Sequence, residues 1–239
     1  MKHLIKSIKS MAHRAGIDII RAKDSPRLSY LGLRGRDFPV IFDIGANTGT
    51  YAANLARMFP KAKIYCFEPA PTIFRKLEIW ASDEAQVTAV NLALSNHSGD
   101  VDMHFHEDHP PSSSLLQTTD LNIATFPFMQ RQSSIKIRTE RLDQFVKDQG
   151  IEFSSGALMK IDVQGHELAV LEGARSTLAN VDAAIIEVNI DILYRDQCSL
   201  EQIIYALNNT GLRYAGNLDQ SYGNDGHVMW IDAVFVRSR

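Results

Sequence analysis

The sequence has little cysteine. Cys66 and Cys198 are the two in a chain of 239 residues, too few for a disulfide framework, and both are expected as reduced thiols. No apolar run approaches the roughly 18 residues that span a bilayer. The N-terminus is basic, yet no apolar stretch of signal-peptide type follows it. Neither sign of charge dominates. The 25 Lys and Arg against 28 Asp and Glu leave a net charge of −3, which gives no pull toward nucleic acid. Two phosphate-binding signatures are also missing: there is no Gly-x-Gly-x-x-Gly after the first apolar run and no Gly-Lys-Ser/Thr. What is there is ordinary for a folded domain. Apolar residues make up 45% and charged residues 22%, so disorder as the main state is excluded. These values lead us to expect one cytoplasmic globular domain with a short N-terminal extension.

Residues 1–37 differ from the remainder. Lys2, Lys6, Lys9 and Arg14 interleave with Leu4, Ile5, Ile8, Met11, Ala12 and Ala15 at helical spacing, which predicts a basic amphipathic helix over 2–15. The favoured reading packs its apolar side on the domain. The alternative is weak contact with an anionic membrane surface. From Phe38 onward, apolar strands alternate with helical stretches. Strands are predicted at Val40–Asp43, Lys63–Phe67, Val87–Leu92, Ala157–Ile161, Ala183–Val188 and Ile231–Val236. Helices are predicted at Thr50–Phe59, Thr72–Ser82, His166–Leu178 and from Ser199, where Gln202 completes a capping box, to Gly211. This alternation predicts an α/β fold built on a doubly wound, mostly parallel sheet. Two further strands, Val101–His106 and Ile135–Thr139, are predicted to pair as an inserted hairpin, with a long Ser/Thr/Pro-rich loop at His109–Ser134 between them.

In such sheets ligands bind beyond the C-terminal strand ends. Asp43-Ile44-Gly45-Ala46-Asn47-Thr48-Gly49 occupies the first of these turns. Gly45 permits a tight turn and close backbone approach to a ligand, and the following helix start offers N–H groups to an anion. The Asp43 carboxylate would repel a pyrophosphate and attract an ammonium or sulfonium. S-adenosylmethionine carries the carboxylate, amine and positive centre that suit this turn. Glu68 ends the second strand, where an acidic side chain accepts hydrogen bonds from ribose hydroxyls. Lys160-Ile161-Asp162-Val163-Gln164-Gly165-His166-Glu167 ends the fourth strand and opens a helix. It directs Asp162 toward the same crevice, with Glu167 suited to the first helical turn.

Taken together, these pieces resemble the FkbM family of methyltransferases. The likeness continues through Asn91–Ser95, Ser112–Leu115, Thr139–Asp143, Leu171–Ala174, Glu187-Val188 and Asp232–Val236, and spans roughly 38–237. The resemblance implies a seven-stranded class I methyltransferase domain over 38–239, with 1–37 as a helical extension. It also implies S-adenosylmethionine as cofactor and a hydroxyl of a sugar, glycan or glycosylated metabolite as acceptor. On that pattern Asp43, Gly45, Asn47, Thr48, Gly49 and Glu68 are cofactor positions, Leu92 and Ala93 fall near the adenine, and Asp162 falls beside the transferred methyl. Oxygen methylation usually needs a base. Asp162 is the first candidate, followed by His166 and Glu187. A metal held by Asp162 and Glu187 would suit an acceptor diol, but the sequence requires none.

Two other readings compete. His104-Phe105-His106-Glu107-Asp108-His109 has the spacing of a zinc hydrolase site. Its bland reading is a strand with Met103 and Phe105 facing inward and His104 and His106 outward. A nicotinamide-dependent oxidoreductase shares the βαβ start and the Glu68 position, but Asp43 and the absent third glycine argue against it. The acceptor would lie under His109–Ser134, with Phe126, Phe128, Tyr222, His227 and Trp230 as candidate stacking or pocket residues. Oligomeric state is not read from the sequence.

Overall fold

The computed structural model describes residues 2–21, 24–153 and 156–237, with side chains from residue 6 onward. The helices are α1 (Lys2–Arg14), α2 (Pro26–Ser29), α3 (Thr50–Met58), α4 (Pro71–Ala81), α5 (Asp120–Thr125), α6 (Leu142–Asp148), α7 (Glu167–Gly173), α8 (Arg175–Leu178) and α9 (Leu200–Asn208). The strands are β1 (Val40–Ile44), β2 (Lys63–Phe67), β3 (Val87–Val90), β4 (Ala93–Leu94), β5 (Gly99–His106), β6 (Gln132–Glu140), β7 (Ala157–Ile161), β8 (Val181–Asn189), β9 (Leu212–Tyr222) and β10 (Val228–Arg237). Seven strands form the main sheet in the order β3-β2-β1-β7-β8-β10-β9. The first five run parallel, and β10 is antiparallel to both β8 and β9. Strand order reverses at β1, between β2 and β7, which makes that point the natural crevice for a ligand.

Alternation along each strand builds two cores. Phe42 and Ile44 of β1 face a cluster completed by Leu142, Phe145, Val170, Leu171 and Leu207 from α6, α7 and α9. Ile41 faces the opposite cluster, with Leu55 of α3 and Leu77 of α4. Asp43 shares the side of Ile41 and is therefore carried into the interior beneath α3. The predicted hairpin is present: β5 and β6 pair antiparallel over their whole length, and β4 joins β6 in parallel to give a three-stranded second sheet.

Four expectations change. The sequence reading assigned no strand to Leu212–Tyr222, because β9 is an edge strand with Arg213, Asn217, Asp219 and Gln220 along it and irregular register against β10. The single helix expected at His166–Leu178 is two, broken at Ala174. The Cβ of any larger residue at Gly173 would lie 2.0 Å from the Ser95 carbonyl oxygen. Asp143 then caps α8 by accepting the N–H groups of Ser176 and Thr177. Within His109–Ser134 the chain forms α5 and two 3-10 turns, Pro110–Ser112 and Pro127–Gln130. His106 faces inward and is fully buried, because the returning segment closes over that side of β5: Ser113 accepts the His106 N–H and Met129 packs beneath.

The N-terminal extension behaves as two parts. In α1 the apolar side does not pack on the domain: Ile8 is 45% exposed and Met11 is 65% exposed. A stripe this short, without aromatics, buries too little area to offset ordering. Residues 25–37 instead belong to the packed unit. Ser25 caps α2, Arg27 pairs with Asp219 of β9, and Leu33 is 1% exposed in the core cluster of Phe38 and Phe59. Deleting residues 1–14 is expected to leave the thermal midpoint unchanged, whereas Leu33→Ala is expected to cost about 2–5 kcal/mol in a denaturant titration. Equal effects would contradict this division.

Candidate active site

The Asp43–Gly49 turn holds itself together with its own backbone. The N–H groups of Gly45 and Ala46 donate to the Phe67 carbonyl, that of Asn47 to Glu68 Oε2 at 3.1 Å, and that of Thr48 to Asn47 Oδ1 at 2.8 Å. The N–H groups of the turn itself are thus engaged within the protein. Gly45 is also required by a close approach of two strand ends. Its φ is +79°, and a Cβ there would lie 1.8 Å from the Asp162 carbonyl oxygen. The glycine lets the end of β1 press against the end of β7, and it lines the cavity above. Gly49, with φ at +88°, is held against the Trp80 ring.

Beneath the turn lies an ionic row. Asp43 and Lys160 are register partners on β1 and β7, and both are buried. Lys160 Nζ lies 3.6 Å from Asp43 Oδ1 and 3.2 Å from Asp162 Oδ2, donates to the Gly45 carbonyl, and stands over the Tyr51 ring. Burial pushes the Asp43 carboxyl above its ordinary range, and the neighbouring ammonium opposes the shift. For Lys160, burial works against its charge, yet Asp162, Asp43 and Glu187 outweigh it and raise its pKa. The sequence reading gave Lys160 no role. Its signal was a lysine inside one buried apolar strand facing an aspartate inside another, each needing a partner.

Two cavities open above this row. The first, about 660 Å3 including its open mouth, is lined by Gly45, Asn47, Glu68, Leu92, Ala93, Met103, Asp162 and His166, among others. Both Glu68 oxygens accept backbone N–H groups, from Asn47 and Ala70, and burial nevertheless lifts its pKa to about 7. His166 lies against Ser95 Oγ at 2.9 Å, and burial lowers its pKa to about 4. Asp43, Thr48 and Gly49 stand behind this wall, not in it.

The second cavity is lined by Phe126, Phe128 and Trp230 on one side and by Asp162, Gln164, Glu187, Asn189 and Tyr194 on the other. Pro111 and Asp162 line both cavities. Gln164 Nε2 donates to Asp162 Oδ1 at 2.8 Å and to Glu187 Oε1 at 2.6 Å, so one amide spans the two carboxylates. Burial, then the charge of Asp162, raises the Glu187 pKa well above the carboxylate range. Gln164 and Tyr194 escaped the sequence reading, and nothing in the octapeptide marks the positive φ of Gln164. Tyr222 and His227 lie outside this cavity. Tyr222 is exposed, and His227 pairs with Asp191 and Asp225 on the surface.

The histidine motif does not converge. His104 bridges Ser114 through backbone, His106 is buried, Asp108 pairs with Arg131, and His109 stacks on Phe128. Among the described residues no group of three or more His, Cys, Asp or Glu side chains is arranged to hold a metal ion. No helix among the described residues is long and apolar enough to cross a membrane.

Comparison with known proteins follows the same line. The family model described as "Methyltransferase FkbM domain" matches residues 43–214. A 2-O-methyltransferase, NoeI, from Sinorhizobium fredii is 28% identical over 172 residues, covering 70% of each chain. The hexuronic acid methyltransferase AglP from Haloferax volcanii is 31% identical over 163 residues, covering 67% of this chain and 60% of that protein. Among solved structures, magnesium protoporphyrin IX methyltransferase from Synechocystis with bound SAM aligns over 88% of this chain and 76% of that one, at 12% identity and a TM-score of 0.47.

Two outcomes test this electrostatic frame. Lys160→Met leaves Asp43 buried without its cation and is expected to cost about 3–5 kcal/mol at neutral pH. The loss should shrink toward pH 4 as Asp43 takes a proton, and Asp43→Asn in the same chain should restore part of it. Glu167 is buried, accepts the N–H groups of Val163 and Gly165, and has its pKa lifted by burial from 4.5 to about 7. A raised carboxylate pKa favours folding at low pH, and that contribution is lost as pH rises from 4.5 through 7. Measured against the parent chain, Glu167→Gln should therefore gain stability between pH 5 and pH 8, by up to roughly 3 kcal/mol. A pH-independent difference would refute the shift.

Proposed function

We infer the reaction from one premise: this chain belongs to the FkbM methyltransferase family and is an S-adenosylmethionine-dependent methyltransferase. We propose that it methylates a hydroxyl oxygen of a sugar or glycosylated metabolite. The observation that carries this reading is the meeting of two cavities at Asp162, whose side chain is 29% exposed while Asp43 and Glu68 beside it are buried. The named relatives, a 2-O-methyltransferase and a hexuronic acid methyltransferase, support the acceptor class.

The first cavity fits the cofactor by the chemistry of its wall. Glu68 and Asn47 present acceptors at the strand-two end for ribose hydroxyls, and Leu92, Ala93 and Met103 form an apolar slot for adenine. Gly45 and Asp162 stand at the end that would take the methionine moiety. Asp43 acts from behind, through Lys160, while Thr48 and Gly49 shape the turn. When bound, S-adenosylmethionine supplies a methyl group on a sulfonium, which is electrophilic without further activation.

The chain's own task is to orient the acceptor and move one proton. Asp162 is the base: its carboxylate accepts the hydroxyl proton as the oxygen forms its new bond to carbon. Lys160 and Gln164 fix the carboxylate from two directions, which holds it in a productive orientation. His166 faces the cofactor cavity and stays neutral above pH 4, so it is a wall group and not the proton acceptor. Glu187 lies in the acceptor cavity and binds the acceptor.

Calorimetric titration with S-adenosylmethionine and S-adenosylhomocysteine tests the first half. Glu68→Ala should weaken both by roughly tenfold or more, at about one to two hydrogen bonds to a buried carboxylate. Asp162→Asn should keep cofactor affinity within a few-fold and lower kcat by roughly a hundredfold or more. An unchanged kcat in Asp162→Asn would remove the base assignment, and transfer only to nitrogen acceptors would remove the oxygen assignment.

A further inference from the structure

The second cavity has a chemical character beyond its position. One wall is aromatic: Phe126 lies 5.6 Å from Phe128 and 6.0 Å from Trp230 between ring centroids. Such a wall receives the C–H face of a sugar ring. The polar part of the lining is dominated by the carboxyl groups of Asp162 and Glu187. Gln164 spends both amide protons on Asp162 and Glu187, and its own carbonyl oxygen is met by Tyr194 Oη at 2.9 Å. Neither group retains a proton to offer an anion. Lys160 is the cation nearest this floor, and it is committed to Asp43, Asp162 and the Gly45 carbonyl. No Lys or Arg among the described residues lines the cavity, and His109 stands on the aromatic wall with Nδ1 against Ser112 Oγ.

Asn189 is the second, independent sign of a ligand. It is 7% exposed and lines the cavity, yet among the described residues its side-chain amide makes no hydrogen bond. An amide on a cavity wall with no protein partner is left to meet water or a ligand. It can donate and accept at once, as a pair of hydroxyls requires.

We propose that this cavity selects a sugar ring without an acidic group, whose hydroxyls donate to Asp162 and Glu187, and that it rejects the matching uronic acid. This deepens the sugar O-methyltransferase reading and rests on it. A carboxylate seated here would lie beside Asp162, with no lysine or arginine among the described lining residues to meet it, in surroundings that already disfavour charge on Glu187. The selection thus runs opposite to the acceptor in the name of the hexuronic acid methyltransferase relative.

The test measures release of S-adenosylhomocysteine with matched pairs of simple glycosides. The gluco, galacto and manno methyl glycosides are each set against their hexuronides. At least one neutral member should be methylated, with its uronide roughly tenfold or more poorer in kcat/KM. Glu187→Gln, which removes one of the two carboxyl groups facing the ligand, should narrow that ratio whatever it does to the absolute rate. A uronide used as well as or better than its neutral partner by the parent chain would overturn the selection while leaving sugar methylation intact. Methylation of no sugar by protein that binds S-adenosylhomocysteine would overturn the sugar reading, and the selection with it. A folded Glu187→Gln chain with an unchanged ratio would remove Glu187 from the account.

Discussion

One buried ammonium holds this site together. Lys160 stands between Asp43 and Asp162, on strands that meet at the reversal of the sheet. Without it the interior would contain a carboxylate with no countercharge, and the exposed acid above would lose the group that orients it. The geometry around it follows. Gly45 must be bare because the end of β7 presses on the turn, and that contact brings the Gly45 carbonyl within reach of the same ammonium. The turn's own N–H groups are then satisfied by Phe67, Glu68 and Asn47, so its shape does not depend on a ligand. Such preorganisation suits a reaction in which the protein mainly positions two partners.

Much of this was legible in the residues, and the failures have physical causes. The parallel strands read clearly because each is apolar on both faces, and Glu68, Asn47, Leu92, Ala93 and Asp162 do line one cleft. The edge strand β9 did not read, since half its residues meet solvent and carry polar side chains. The direction of a strand face is fixed by what covers it. His106 turned inward because residues 107–131 fold back over β5, a contact no local pattern announces. Asp43 is the opposite case. Its place at the end of the first strand was legible, but its partner sits on another strand, so its burial behind the cleft was visible only once β1 and β7 were side by side. The helix α1 shows that an amphipathic period specifies a helix without specifying a surface for it to pack on.

The two cavities divide the chemistry. The cofactor side is made by strand ends and their turns together with Met103, Ile137 and residues 110–115 of the hairpin region. The acceptor side borrows its aromatic wall from the segment between β5 and β6 and from β10. Asp162 and Pro111 form the boundary, so the group assigned to proton transfer is reached from both directions.

That borrowed wall has its own packing. Met129, Leu193 and Tyr194 form a cluster with Phe126 and Trp230 that is separate from the two cores flanking the main sheet. The two cores of the parallel sheet do not include it, so a change in the segment between the hairpin strands leaves strand register and the ionic row in place. Residues 110–115 of that same segment also close the cofactor cavity, so such a change is felt on both sides of Asp162.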